Sequence, residues 1–308
     1  MEFLDLAGTL LNASFRIYIG VFLGVLWIRI PRLAKYRKQF VNLTINVFTP
    51  YLILVSMLKV DLTDAWHFPV LAGLLVTGLG LTVPRLIAKL QDTEPPDPAE
   101  IATASFSNAV NFPIPIIYVL APDGLGIAAI FIAVSIIMRN TVGFWISGYN
   151  LTKESLKEIL RFPPIWGIIL GIIINAAGNK NFVFMFASSL VGTILFDIGI
   201  YMTLMTVGFG LGSLKIGHKE SVVRVGITRF IVSFLVGLIM AILLQLPSYI
   251  AIPLIIQMGA PPAVYNGLYA EKFNMDTELT SDVIVILTAV ALLVLPLELT
   301  GILLLFPS

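Results

Sequence analysis

The sequence contains no cysteine among its 308 residues and only two histidines, His67 and His218. Without thiols there is no disulfide framework, no thiolate metal site and no cysteine nucleophile, and the redox compartment leaves no trace in the chain. The two histidines fall at opposite loops of the pattern described below, which excludes a histidine-assisted serine site and an HExxH zinc site. Charge is scarce as well: 12% of residues carry it, against about 25% in ordinary soluble domains. A formal net charge of +1 leaves no basic stripe for a nucleic-acid partner. No polar stretch is long enough to form a second soluble domain, so a folded regulatory module is not expected. A cleavable leader is not expected either. Glu2 and Asp5 stand where its basic region would be, and no small-residue cleavage pattern follows.

What the chain has in excess is apolar surface, at 58% of residues against roughly 45–50% in soluble domains. A water-soluble fold cannot hide that much, so lipid is the partner named by composition. Crossing about 30 Å of hydrocarbon takes roughly 20 mainly apolar residues. Ten such segments are read at 10–30, 39–58, 67–90, 100–120, 124–149, 163–179, 183–211, 222–246, 249–270 and 279–306. The expectation is an all-α integral membrane protein.

Cytoplasmic loops retain lysine and arginine, which orients the segments. The odd-numbered loops carry Arg29, Arg32, Lys35, Arg37, Lys38, Arg85, Lys89, Lys153, Lys157, Arg161, Lys215, Lys219, Arg224 and Lys272, whereas the others hold only Lys59 and Lys180. Both termini are therefore expected outside a cell membrane. The longest polar interruption, QDTEPPDPAE at 91–100, reads as a rigid cytoplasmic connector between the third and fourth segments.

Internal symmetry often betrays a transporter. The fourth segment contains NFPIP at 111–115 and the ninth contains GAPPA at 259–263, each the fourth of five. An odd number of segments per half turns the second half upside down, so residues 1–149 and 163–308 read as inverted five-helix repeats joined by a linker at 150–162. Proline inside a helix removes a hydrogen bond and clashes with the preceding turn, at a cost of about 3 kcal/mol. Non-helical backbone at membrane depth survives only where protein buries it or where it lines a wet cavity. Paired breaks at Pro113, Pro115 and at Pro261, Pro262 thus point to a binding site near the midplane, although prolines also kink packed helices. The start of each following half-helix offers free N–H groups and a positive dipole end, which suits a carboxylate.

At these residues the chain resembles the auxin efflux carrier family, the plant PIN-FORMED transporters and their prokaryotic relatives. The resemblance rests on GAPPAVYNGLYAEKFNMDTELTSDVIVILTAVALLVLPLEL at 259–299, on FDIGIYMTLMTVGFGLG at 196–212, on Asn108 with Pro115, and more loosely on Asn42 with Pro50. It implies ten helices, a scaffold part and a transport part, broken helices four and nine crossing at the substrate, and elevator-like movement of organic anions such as auxins or dicarboxylates. NLTKESLKEILR at 150–161 stands where the plant proteins have a long loop, which favours a prokaryotic-type carrier. Ser233 and Phe234 occupy the region where relatives carry a proline in helix eight.

Several polar residues are candidates for the site. Asn108 and Asn111 flank the first break at a spacing that shares a helix face, and either binds substrate or bonds helices together. Tyr265 and Asn266 follow the second break, with helix anchoring as the alternative. Asp197, mid-segment, is a candidate for proton or sodium coupling or for a salt bridge with Arg139 or Arg229. Arg139 could supply positive charge to the site or pair structurally, Arg16 and Glu298 snorkel to a membrane face, and Glu271 with Lys272 ends the ninth segment in a gate or a solvated turn. No cofactor and no metal are expected. Partners are lipid, a small organic anion and, by self-association, a homodimer. An intramembrane aspartyl protease would need a second buried carboxylate facing Asp197, so no enzyme is expected. A sodium-coupled symporter of the bile-acid carrier type and a channel remain the competing readings.

Overall fold

The computed structural model describes residues 3–58, 65–149, 157, 160–177, 181–211 and 217–307. Most of the expected linker, together with Lys59, Lys153, Lys180 and Lys215, lies outside them. Among the described residues there is no strand, only one isolated bridge between Ser107 and Pro262.

The principal helices are α1 (Phe3–Arg29), α2 (Arg37–Leu58), α3 (His67–Leu90), α4 (Pro98–Ser105), α5 (Pro113–Leu120), α6 (Pro122–Ile146), α7 (Pro164–Ala176), α8 (Leu190–Leu211), α9 (Lys219–Leu243), α10 (Ser248–Met258), α11 (Tyr265–Lys272) and α12 (Thr277–Leu305). Six of them, α2, α3, α6, α8, α9 and α12, are long and apolar enough to cross a membrane, and α7 and α10 are shorter apolar helices. The outer surface agrees with that environment. On α9, Ile231, Leu235, Ile239 and Leu243 are exposed at every fourth position, a stripe that water would penalise and hydrocarbon does not.

The fourth and ninth expected segments are each two helices: α4 and α5 in one, α10 and α11 in the other. Proline alone does not break them, because Pro84, Pro253 and Pro296 lie inside the continuous helices α3, α10 and α12. Asp97 caps α4 by accepting from Ala99 N at 2.7 Å, with Pro98 in the first helical position. The expected connector at 91–100 is thus helical at its end, and its Glu100 is fully buried.

α1 packs along α8, and α7 packs along α2. Small residues make both approaches close. Gly24 and Gly208 bring α1 and α8 together, while Gly167 and Gly171 of α7 face Pro50 and Met57 of α2. A Cβ at Gly208 would collide with the Val21 carbonyl oxygen, and one at Gly78 would meet nothing. Gly208→Ala is therefore expected to cost about 1–3 kcal/mol, as overpacking does. Gly78→Ala should stabilise α3 by roughly 0.5–1 kcal/mol. Unfolding midpoints of the two purified variants check this pair of opposite signs.

Candidate functional site

The two breaks meet. Asn108 N donates to Pro261 O at 2.8 Å, and Ala263 N donates to Phe106 O at 3.0 Å, a reciprocal pair that makes the antiparallel bridge. Side chains satisfy most of what remains. Asn266 Nδ2 donates to Phe106 O at 3.0 Å, and Gln257 Nε2 donates to Ala109 O and Ala128 O at 3.2 and 3.1 Å. Arg229, fully buried, donates from Nε and Nη2 to Ala260 O and from Nη2 to Met258 O, closing the C-terminal end of α10. Its expected alternative as an ion-pair partner of Asp197 is thereby corrected: the guanidinium is committed to main-chain carbonyls that the break leaves exposed.

Beside this crossing lies a cavity of about 600 Å³. Its walls come from α2 (Asn42, Thr49), the first break (Ser107 to Asn111), α6 (Ser135, Arg139), α8 (Thr206, Phe209) and α11 (Tyr265, Glu271). Arg37 and Lys38 line it as well. Asn108, Asn111, Tyr265 and Arg139 therefore line one cavity. Pro113, Pro115, Pro261, Pro262 and Asn266 do not line the cavity; they shape the backbone behind it. The two proline pairs are not in matching positions. Pro113 and Pro115 lie in the first turn of α5, whereas Pro261 and Pro262 precede α11 and take part in the bridge.

The polar inventory defines what the site can bind. Asn108 Oδ1 accepts from Asn111 N at 3.0 Å, while its Nδ2 is buried with no partner. Asn111 Nδ2 donates to Thr206 Oγ1 at 3.1 Å, tying the break to α8. The α5 terminus offers fewer amides than a half-helix usually does. Pro113 and Pro115 have none, and Ile114 N is bonded to Val110 O at 3.1 Å. Positive charge comes instead from Arg139, which is buried with its guanidinium 5.2 Å from the Tyr265 ring centre and 5.8 Å from that of Phe106.

Asp197 is not among the lining residues. It stands beside the Tyr118 hydroxyl with Arg16 nearby, so the expected pairing of Asp197 with Arg139 is not formed among the described residues. Arg16 Nε donates to Asn12 Oδ1 at 3.0 Å. Two contacts, one buried and one partly buried, escaped the sequence reading. Glu100 is gripped by Arg224 through Nε and Nη2 at 2.8 and 2.9 Å and accepts from Ser221 Oγ at 2.8 Å, joining α4 to α9. His218 Nδ1 lies 3.0 Å from Asp282 Oδ2 at the start of α12. Only the acidic residue in the first turn of α4 and the i, i+3 spacing of Ser221 and Arg224 could have signalled the first contact.

Comparison with known proteins bears on the whole chain. The family model described as membrane transport protein matches residues 147–299. A protein described as an uncharacterized transporter from Methanothermobacter thermautotrophicus is 23% identical over 310 residues, covering 96% of this chain and 98% of its own length. Both agree with the resemblance read from the motifs, and the apolar helices agree with a membrane protein.

Proposed function

We propose that this protein is a membrane transporter, a secondary carrier of small organic anions that works by alternating access with an elevator-like movement. The observation that carries the reading is the crossing itself: two broken helices bonded to each other beside a cavity of about 600 Å³, with Asn108 and Arg139 among its lining residues. A cavity of that size suits a small molecule. Among the described residues that line it, the one buried charge, Arg139, is positive, which favours an anion.

The reading takes the chain as ten membrane helices in two inverted repeats, 1–149 and 163–308, with α4–α5 and α10–α11 as the broken fourth and ninth. Two exchanges support it. α1 packs on α8 as α7 packs on α2, and Asn108 N→Pro261 O is matched by Ala263 N→Phe106 O. That second exchange relates Asn111 to Asn266, at equal distances along the chain from the paired donors. α1, α2, α7 and α8 then form the scaffold, and the rest moves. Arg37, Lys38 and Glu271 at the cavity rim are residues that the charge bias assigns to the cytoplasm, so this conformation is read as inward-facing, with both termini outside.

Flux of labelled mono- and dicarboxylates into proteoliposomes, with sodium and pH varied separately, tests the class. In that assay Asn108→Ala is expected to raise KM about 10- to 100-fold, the loss of one hydrogen bond to a charged group. Unchanged affinity and rate in this variant would remove the crossing as the substrate site.

A further inference from the structure

The buried charges among the described residues are Glu100, Arg139, Arg224, Arg229 and Asp282. Four of them are matched within the protein. Glu100 holds Arg224, Asp282 faces His218, and Arg229 lies on the carbonyls of Met258 and Ala260. Arg139 is the remainder. Its Nε has no hydrogen-bond partner, and no carboxylate lies within ion-pair distance of it among the described residues. Glu271 shares the cavity but stands on the exposed last turn of α11. Phe106 and Tyr265 offer Arg139 ring faces, which attract a cation without neutralising it.

We infer that Arg139 makes the protein an obligatory anion exchanger: the part that moves can cross the membrane only with an anion bound to Arg139. The inference rests on the carrier reading above and adds its mode of operation. A guanidinium stays protonated in proteins, so the site cannot shed its charge when empty. In the open conformation the cavity supplies water to Arg139. In transit the cavity must close on both sides, and an empty site would then hold a desolvated, unpaired cation, which is heavily penalised. A bound carboxylate removes that penalty by pairing with the guanidinium. The loaded form therefore crosses and the empty form stays, so one anion leaves only as another enters. Arg139 lies on α6, in the part assigned to move, and so carries this constraint with it.

The test uses the full chain in proteoliposomes loaded with radiolabelled succinate or, in a parallel arm, phenylacetate, with the membrane potential clamped by potassium and valinomycin. Efflux into buffer holding the same unlabelled anion is expected to exceed efflux into anion-free buffer at least about tenfold. Arg139→Gln should bring that ratio toward one, by slowing exchange and releasing net efflux. Arg139→Lys can shed its proton when the empty site closes, so its ratio should fall between the two and rise as the pH is lowered. Equal rates in the two modes for the unmodified protein, or an unchanged ratio in Arg139→Gln, overturn the inference while leaving the carrier reading in place. Should Arg139→Gln fail to fold, an Arg139→Lys ratio that falls as the pH is raised supports the inference, and one that does not change with pH from that of the unmodified protein overturns it. No flux of either probe in either mode removes the carrier reading, and the inference with it.

Discussion

Glu100→Ala is expected to destabilise the protein by about 3–5 kcal/mol, the cost of removing one partner from a buried ion pair. The magnitude follows from what the substitution strands. Arg224 is buried, and two of its guanidinium nitrogens lie on the carboxylate at 2.8 and 2.9 Å. Its remaining contacts are Thr93 Oγ1 at 3.2 Å and the exposed Glu220 at 3.6 Å, which replace little of that field. Ser221 Oγ loses its acceptor as well. Removing both ends should behave differently, because a buried pair repays little beyond its own desolvation. Glu100→Leu combined with Arg224→Leu is expected to recover much of the loss, and Ser221→Ala alone to cost about 1 kcal/mol. Titration of the purified variants with a denaturing detergent measures all three. A double variant as unstable as the sum of its singles would show that the two residues are not coupled, against this account of a stranded partner.

The all-helical, apolar character of the fold could be read from the chain, because it is written in long apolar stretches. The reading went wrong where short polar stretches have partners far along the sequence. QDTEPPDPAE reads as no more than a rigid connector, yet Asp97 caps a helix and Glu100 is buried against a residue 124 positions away. Arg229 looks like a pairing candidate for Asp197, but its partners are carbonyls that become available only where α10 stops. The prolines marked the right segments for an incomplete reason. Pro84, Pro253 and Pro296 interrupt nothing, so the breaks are held by the hydrogen bonds each makes to the other, which local sequence does not record. Asn108, Asn111, Tyr265 and Arg139 were found because they adjoin those segments or carry a charge where few are tolerated. Thr206 and Phe209 were not, since a threonine and a phenylalanine in an apolar helix carry no signal of the cavity they line.

Arg229→Met is expected to cost about 2–5 kcal/mol and to abolish transport in whatever protein survives purification. The guanidinium lies on the carbonyls of Met258 and Ala260 at 2.7 to 2.9 Å, at the end of α10 where helical partners run out and the dipole is negative. Each bond to a charged group is worth roughly 1.5–3 kcal/mol, and stranding the carbonyls in a buried site adds to the loss. Relief of the desolvation borne by the cation offsets part of it, which keeps the figure below the simple sum. Lysine cannot substitute, because one ammonium does not reproduce the two-pronged geometry that Ala260 O receives. The functional loss follows from position. Ala260 immediately precedes Pro261, whose carbonyl holds Asn108 N, so a carbonyl that turns away in search of a partner displaces Asn108 from the cavity wall. Thermal unfolding and carboxylate flux measured on the same preparation separate the two effects. Arg229→Met protein that moves substrate with the KM of the unmodified protein would show that the crossing holds its shape without this cap.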